Sequence, residues 1–179
     1  IADLDTAGNW AAIDADDGLI GPNDDVLFKD DGGDLVALAL LDIKQSGLEG
    51  LPITFKNYPG DIPVIDANGQ AAAVYSQAKS YLTFDGLTMK GGTTNAYVSR
   101  ATGGAVVGIT VKNCILDGTS TDQASSNMLY MYDSSTHTTV VIANNTIFGD
   151  GANGGGNNSD NIKMTYIDDL EIYGNTLYN

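Results

Sequence analysis

The lysine in the stretch DNIKMTYIDDL has acidic residues on both sides, which makes it a candidate for chemistry. Lys163 follows Asp160 by three residues and precedes Asp168 and Asp169. A basic side chain whose pKa is lowered can act as a general base, and carboxylates supply the oxygen ligands that Ca²⁺ takes. The alternative is a solvated surface ion pair, which contributes less than about 1 kcal/mol.

Two further acidic residues, Asp133 and Asp150, are predicted to lie on turns next to Lys163. Ca²⁺ takes roughly six to eight oxygen ligands, and several carboxylates on adjacent turns could provide them. The sequence therefore predicts a calcium site formed by Asp133, Asp150 and Asp160, with Lys163 beside it.

Arg100 is the only arginine in the chain, and its planar fork suits bidentate contact with the carboxylate of a bound sugar acid. The alternative is that Arg100 tethers a carboxylate of a neighbouring loop. The lone histidine, His137, has no partner at the spacing of a metal site and is predicted to be an exposed loop residue.

An internal repeat defines the elements that must position these side chains. Six segments share an apolar-x-apolar-x-turn pattern: VLFKDD, ITFKNY, LTFDGL, ITVKNC, VVIANN and LEIYGN. Their third residues recur at intervals of 27, 29, 27, 31 and 30 residues. These third residues are Phe28, Phe55, Phe84, Val111, Ile142 and Ile172.

The residue two places further on is Gly, Asn or Asp in every segment, and these types tolerate left-handed or tight-turn backbone. A unit of this length cannot bury its apolar face alone, whereas stacked units share one continuous core. The repeat thus predicts an all-β fold, a parallel β-helix of about six coils with Gly- and Asn-rich turns.

A second strand precedes the first in the later repeats, where NAYVSR, NMLYMY and NIKMTY align on their first asparagines. Strict alternation in this alignment places Tyr97, Leu129 and Lys163 on an outward face, with Tyr75 and Met131 beside them.

Apolar side chains on a solvated strand face indicate contact with a partner, and aromatic faces stack on sugar rings. A covering loop or a neighbouring subunit would explain this column equally well. The predicted substrate-binding residues are Tyr75, Tyr97, Arg100 and Met131.

Asparagines also recur at the turns. Asn145 and Asn175 fall at equivalent positions in successive coils, with Asn113 close to the same position. Side-chain amides stacked in such a turn would hydrogen-bond to each other and to the backbone, which avoids the cost of burying them unsatisfied. We therefore interpret these asparagines as structural.

The composition limits the class of partner. The chain has 179 residues, of which 42% are hydrophobic and 17% charged, and its formal net charge is -15 with only 8 Lys and Arg. Such a surface repels nucleic acid and anionic membranes, but it could attract divalent cations that bridge to anionic polymers. The single cysteine, Cys114, cannot form an intrachain disulfide and is predicted to be buried.

The chain is predicted to be a single domain, with residues 1–25 as an N-terminal cap segment and residues 26–179 as coils. No run of residues is long and apolar enough to predict a membrane span. Low lysine content, abundant Asn, Thr and Gly, and a first residue other than Met favour a secreted, extracellular protein.

The stretch SGLEGLPITFKNYPGDIPVIDANG resembles the opening coils of secreted right-handed parallel β-helix proteins of the pectate-lyase-like superfamily. The stretch GGGNNSDNIKMTYIDDLEIYGNTLYN is similar to a mid-helix coil of the same group. This resemblance implies a right-handed helix, a groove along one sheet, and an acidic polysaccharide as substrate. It also implies Ca²⁺ held by Asp residues and a basic residue, here Lys163, that abstracts the proton next to the uronate carboxylate.

Two functions follow as hypotheses. The first is a carbohydrate-active protein that acts on or binds acidic polysaccharide, with Ca²⁺-dependent β-elimination as its most specific form. The second is a non-catalytic structural or adhesive module that pairs end to end with copies of itself to build extracellular filaments, because an open strand edge is a template for further strands.

Overall fold

The chain folds as a parallel β-solenoid, which the repeat predicts. The structure is a computed structural model that describes residues 20–30, 32–37, 39–118, 127–149 and 160–178. In these ranges the strands form three sheets with six, six and five members, and the named strand pairs are parallel. Successive strands enter the three sheets in rotation, so the chain winds around one axis.

The strands are numbered in chain order. The first sheet contains β1 (Asp25–Phe28), β4 (Ile53–Asn57), β7 (Leu82–Asp85), β10 (Val106–Lys112), β13 (His137–Ala143) and β16 (Ile167–Tyr173). The second contains β2 (Leu35–Val36), β5 (Val64–Asp66), β8 (Thr88–Lys90), β11 (Ile115–Asp117), β14 (Thr146–Phe148) and β17 (Thr176–Tyr178). The third contains β3 (Leu41–Ile43), β6 (Ala72–Gln77), β9 (Asn95–Arg100), β12 (Asn127–Tyr132) and β15 (Asp160–Met164).

The repeat also predicts the register of most of the first sheet. From β4 to β16, the residues that the repeat predicts to be equivalent pair with each other in neighbouring strands. The paired residues are Phe55, Phe84, Val111, Ile142 and Ile172.

The first strand departs from the predicted register. Val26, rather than Phe28, pairs with Phe55. The difference is two residues, and side chains alternate with a period of two, so Phe28 still faces the core and is 1% exposed.

Inward-facing side chains of the three sheets fill the core. The rings of Phe55 and Phe84 stack with their centroids 5.2 Å apart, and Tyr97 packs against Phe84 at 4.7 Å. Apolar residues at alternate positions in neighbouring strands lie directly above one another, so each coil covers the apolar face of the next.

Four turns that follow strands of the first sheet use left-handed backbone. Gly86, Asn113, Asn144 and Gly174 have φ of 72°, 53°, 56° and 66°. At Gly86 a Cβ would also meet the amide oxygen of Asn57 at 2.6 Å, so a side chain there is excluded by both conformation and space.

Asparagines at the next position form the stack that the sequence predicts. The Cys114 N–H donates to the Asn145 Oδ1 at 2.9 Å, and the Asn145 N–H donates to the Asn175 Oδ1 at 2.9 Å. The Asn145 side-chain amide also donates to the Val111 carbonyl, at 2.9 Å. We call Asn145 and Asn175 with these partners the asparagine ladder; Asn113 is not a member, because its side chain donates to Asp85.

The register of the third sheet differs by one residue from the predicted alignment at β15. Asn127 pairs with Asp160, and Tyr130 pairs with Lys163. Lys163 therefore shares a column with Tyr130 instead of Leu129, because a one-residue shift exchanges the two faces of a strand.

The predicted outward positions of Tyr97, Leu129 and Met131 are wrong. All three side chains are 0% exposed and belong to the core. The alternation could not decide which face of β9 and β12 points inward, because both faces carry apolar residues.

The predicted cap segment, residues 1–25, lies largely outside the described residues, and β1 begins at Asp25. Within the described ranges, no helix has the length and apolar character needed to cross a membrane.

Candidate functional site

The outer face of the third sheet combines aromatic and cationic side chains. Tyr75, Val98, Tyr130 and Lys163 occupy one row across the neighbouring strands β6, β9, β12 and β15. A second row, two residues further along each strand, contains Gln77, Arg100 and Tyr132. We call the set of Tyr75, Arg100, Tyr130, Tyr132 and Lys163 the tyrosine face.

The centre of this face is a pair of tyrosines on one strand. Tyr130 and Tyr132 lie two residues apart, so both point outward, and their rings stack at 4.1 Å with an angle of 11° between planes. A cation flanks each ring: Arg100 Cζ lies 5.0 Å from the Tyr132 centroid, and Lys163 Nζ lies 5.7 Å from the Tyr130 centroid. These distances fall within the range of cation–π attraction.

Contacts within the protein hold Arg100 in place. Its Nε and Nη2 donate to the Asp133 Oδ2 at 3.0 and 2.7 Å, and the Thr102 hydroxyl donates to the same oxygen. Its Nη1 reaches the Tyr75 hydroxyl at 3.5 Å. The hydrogen bonds from Thr102 and then from Arg100 lower the pKa of Asp133 to about 2, so this carboxylate stays charged at neutral pH.

A depression of about 300 Å³ opens beside the tyrosines, a volume at the lower end of the range for ligand pockets. Its lining combines apolar and aromatic residues with neutral polar ones. The lining residues are Ala71, Ala72, Tyr75, Thr94, Asn95, Val98, Asn127, Tyr130 and Tyr132.

A buried polar cluster lies on the inner side of the same sheet. The Ser76 hydroxyl lies 3.1 Å from the Tyr97 hydroxyl, and the Ser99 hydroxyl lies 3.0 Å from the His137 Nε2. His137 is 0% exposed in β13, so its predicted position in an exposed loop is wrong. Burial lowers the pKa of His137 and raises the pKa of Tyr97 to about 12, so both rings are neutral at pH 7.

The structure brings together three of the predicted site residues: Lys163, Tyr75 and Arg100 all lie on the tyrosine face. The two others predicted to bind substrate, Tyr97 and Met131, lie inside the solenoid with no exposed surface. Neither can contact a ligand on the outside of the folded chain.

The predicted calcium ligands do not converge in the described part of the chain. The Asp133 carboxylate accepts hydrogen bonds from Arg100 and Thr102. Asp160 is three residues from Lys163 on the same strand, so the side chains of Asp160 and Lys163 project from opposite faces of that strand. Among the described residues no group of three His, Cys, Asp or Glu side chains could hold a metal ion. Asp150 lies outside the described residues, and the calcium site stays a prediction.

Sequence reasoning missed Tyr130, Tyr132 and Asn127 as site residues. The signal for the tyrosines was present in the segment YMY, where two aromatic residues alternate with an apolar one. Such spacing places both rings on the same side of a strand.

Comparison of the chain with protein-family models, with curated proteins and with solved structures finds no match.

Proposed function

We propose that the protein is a carbohydrate-binding β-solenoid that takes an acidic polysaccharide on the tyrosine face. The observation that carries this proposal is the stacked pair of Tyr130 and Tyr132, flanked by Arg100 and Lys163 and adjacent to a small open depression. Aromatic rings supply a large apolar contact area with a polar tip, which matches the apolar face and the hydroxyl rim of a sugar.

Charge supports an anionic ligand at this face despite the net charge of -15 on the whole chain. Lysines on the other two sheets are matched by carboxylates, as in the ion pairs Lys56–Asp25 at 2.6 Å, Lys90–Asp34 at 2.6 Å and Lys112–Asp85 at 3.2 Å. Lys163 instead lies near the ring of Tyr130. Arg100 is paired with Asp133, so Lys163 is the cation of the tyrosine face that can attract an anion, and added salt will screen this attraction.

We place binding ahead of cleavage in this proposal. Among the described residues no group of carboxylates beside Lys163 could hold Ca²⁺, and β-elimination by the predicted mechanism needs a means of acidifying the C–H bond as well as a base. Elimination with Lys163 as the base is therefore the less supported form of the same hypothesis.

We also infer that the solenoid is right-handed and secreted, as the resemblance to pectate-lyase-like proteins implies. Crossovers between parallel strands of one sheet are right-handed in about 98% of cases, which supports the handedness. Membership of that superfamily is part of the proposal.

Tyr130→Ala is expected to weaken binding of a polyuronate by roughly 30-fold, the equivalent of about 2 kcal/mol, because it removes the central stacking surface. Isothermal titration calorimetry with and without Ca²⁺ measures the change, and an assay for unsaturated uronate products in the same samples reports any elimination.

The matched control is Tyr178→Ala. Tyr178 also stacks on an aromatic neighbour, Phe148, at 5.0 Å, but it lies on the second sheet. Equal losses of polyuronate affinity in Tyr130→Ala and Tyr178→Ala would contradict the proposal. A wild-type protein that binds no polysaccharide would contradict it as well.

A second candidate function is end-to-end self-association, favoured by the exposure of apolar residues on the last described strands. Leu170, Ile172 and Leu177 are 41%, 49% and 52% exposed, although their pairing partners Val140, Ile142 and Ile147 are fully buried. A second copy that pairs with this edge would cover these residues and satisfy the edge backbone groups.

If this association occurs, Ile172→Lys is expected to reduce the assemblies to monomers, because it puts a charge into the apolar edge. Light scattering after gel filtration measures the mass. Ile62→Lys is the control, since Ile62 is 67% exposed at a different place in the fold. Assemblies that persist in Ile172→Lys would contradict end-to-end self-association through this edge.

A further inference from the structure

The residue that follows the tyrosine pair has strained backbone. Asp133 comes directly after Tyr132, where β12 ends, and its φ is 126°. A residue with a side chain rarely adopts such a φ, and the strain persists only where the surrounding contacts over-determine it. Strained residues of this kind cluster at ligand clamps and active sites. The backbone of Asp133 therefore points to a role for its side chain.

The Asp133 carboxylate accepts hydrogen bonds from three neighbours. Its Oδ2 accepts from the Thr102 hydroxyl and, at 3.0 and 2.7 Å, from the Nε and Nη2 of Arg100. Its Oδ1 accepts from the Ser134 N–H at 2.8 Å. The Asp133 side chain is 17% exposed, so its charge-assisted bonds to Arg100 are partly shielded from water. These bonds fix the guanidinium of Arg100 in one orientation.

Arg100, held in this way, reaches two tyrosines of the tyrosine face. Its Cζ lies 5.0 Å from the centroid of the Tyr132 ring, and its Nη1 lies 3.5 Å from the Tyr75 hydroxyl. The Tyr132 ring in turn stacks on Tyr130 at 4.1 Å. A continuous chain of contacts thus runs from Asp133 through Arg100 to the three tyrosines that line the depression.

We propose that Asp133 and Arg100 are positioning residues, which hold these tyrosines in the arrangement that binds the ligand and do not contact the ligand themselves. Their bonds form when the chain folds, so the ligand does not have to order the tyrosine side chains, and the affinity is higher by the cost of that ordering. This inference rests on the proposed function and adds to it the residues that prepare the site.

Asp133→Gly tests this role, because positioning and electrostatic attraction predict opposite results. Glycine adopts positive φ without strain, so the change removes the carboxylate and leaves the backbone conformation accessible. It also deletes a negative charge and releases the guanidinium of Arg100, so attraction alone predicts tighter binding of an anionic ligand. We instead expect the affinity for a polyuronate, measured by calorimetry, to fall about tenfold, the factor expected when binding must immobilise two further side chains. An unchanged or higher affinity overturns the inference.

The matched control is Asp169→Gly. Asp169 also has a positive φ, of 60°, and is exposed, but it lies in β16 on the first sheet. This variant loses the same charge and gains the same backbone freedom, and it is expected to bind as wild type does. An equal loss of affinity in Asp133→Gly and Asp169→Gly overturns the inference, because it would assign the effect to charge or to the backbone.

Arg100→Lys is a second variant that leaves Asp133 and its backbone unchanged. Lysine keeps the positive charge but lacks the planar fork, so it cannot bond to Asp133 through two nitrogens and reach Tyr75 as well. Its affinity for the polyuronate is also expected to fall about tenfold. Wild-type affinity in Arg100→Lys would show that charge at this position is sufficient, which overturns the inference.

A measurement without ligand separates this inference from the proposed function. The transitions of rings stacked at 4.1 Å couple, so the pair contributes to the near-ultraviolet circular dichroism spectrum, and Tyr130→Ala identifies that contribution. Asp133→Gly is expected to lose the same contribution while its far-ultraviolet spectrum matches wild type. Retention of the contribution refutes the positioning role even if the protein binds polysaccharide. Its loss in a protein that binds no polysaccharide refutes the proposed function and leaves the positioning of the tyrosines standing.

Discussion

Asn145→Ala is expected to lower the free energy of unfolding by about 3 kcal/mol. Asn145 is 1% exposed, and its side chain bonds to the Cys114 N–H and the Val111 carbonyl, both at 2.9 Å. Alanine leaves these buried backbone groups without that partner, at about 1–3 kcal/mol for each. Urea denaturation followed by circular dichroism measures the loss.

Asn175→Ala is the matched control within the asparagine ladder. Asn175 makes equivalent bonds, to the Asn145 N–H and the Ile142 carbonyl, but it lies on the exposed edge where water can replace them. We therefore expect a smaller loss, of about 1 kcal/mol. Equal losses in the two variants would show that burial of the ladder does not determine its contribution to stability.

The second large effect is loss of stability in mild acid through His137. The ring is fully buried, its Nε2 contacts the Ser99 hydroxyl, and its Nδ1 has no partner among the described residues. Burial lowers the pKa of His137 below its usual value. The unfolded chain therefore takes up a proton near pH 6.5, while the folded chain stays neutral to lower pH.

The direction of the effect follows from this difference. The contribution of the neutral His137 ring to the free energy of unfolding is complete above about pH 6.5. It is lost as the pH falls towards the lowered pKa of His137 in the folded state. Urea midpoints measured from pH 7.5 to pH 5 are expected to fall in the wild-type protein and to stay nearly constant in His137→Gln, which cannot titrate. Parallel curves for the two proteins would assign the acid sensitivity to other groups.

The sequence predicts the first sheet more completely than the third for a physical reason. In β4, β7, β10 and β16, inward apolar residues alternate with Thr, Lys, Asp or Glu, so only one register and one face satisfy the pattern. In β12 the segment NMLYMY is apolar on both sides, and either face could point inward.

The position of a site residue on the outer face was predictable from the sequence where its side chain is charged. Lys163 and Arg100 must reach solvent, and the structure places both on the outer face with Tyr75. The tyrosine pair depends on which face of β12 is buried, and that choice is made by the core contacts of Leu129 and Met131. The partner of Arg100 could not be read from the sequence either, because Asp133 lies 33 residues away and reaches it only after the coils stack.

The parallel pairing of the third sheet also sets how this molecule can change during evolution. Within this sheet each strand pairs only with the strands of the preceding and following repeats, so duplication or loss of one repeat of about 30 residues preserves the geometry of its neighbours. Each added repeat would lengthen the outer surface by one strand spacing, about 4.8 Å, and add one new set of outward side chains. Duplication of repeats could thus let the outer surface bind a longer ligand, in steps of one strand spacing, while the existing contacts stay the same.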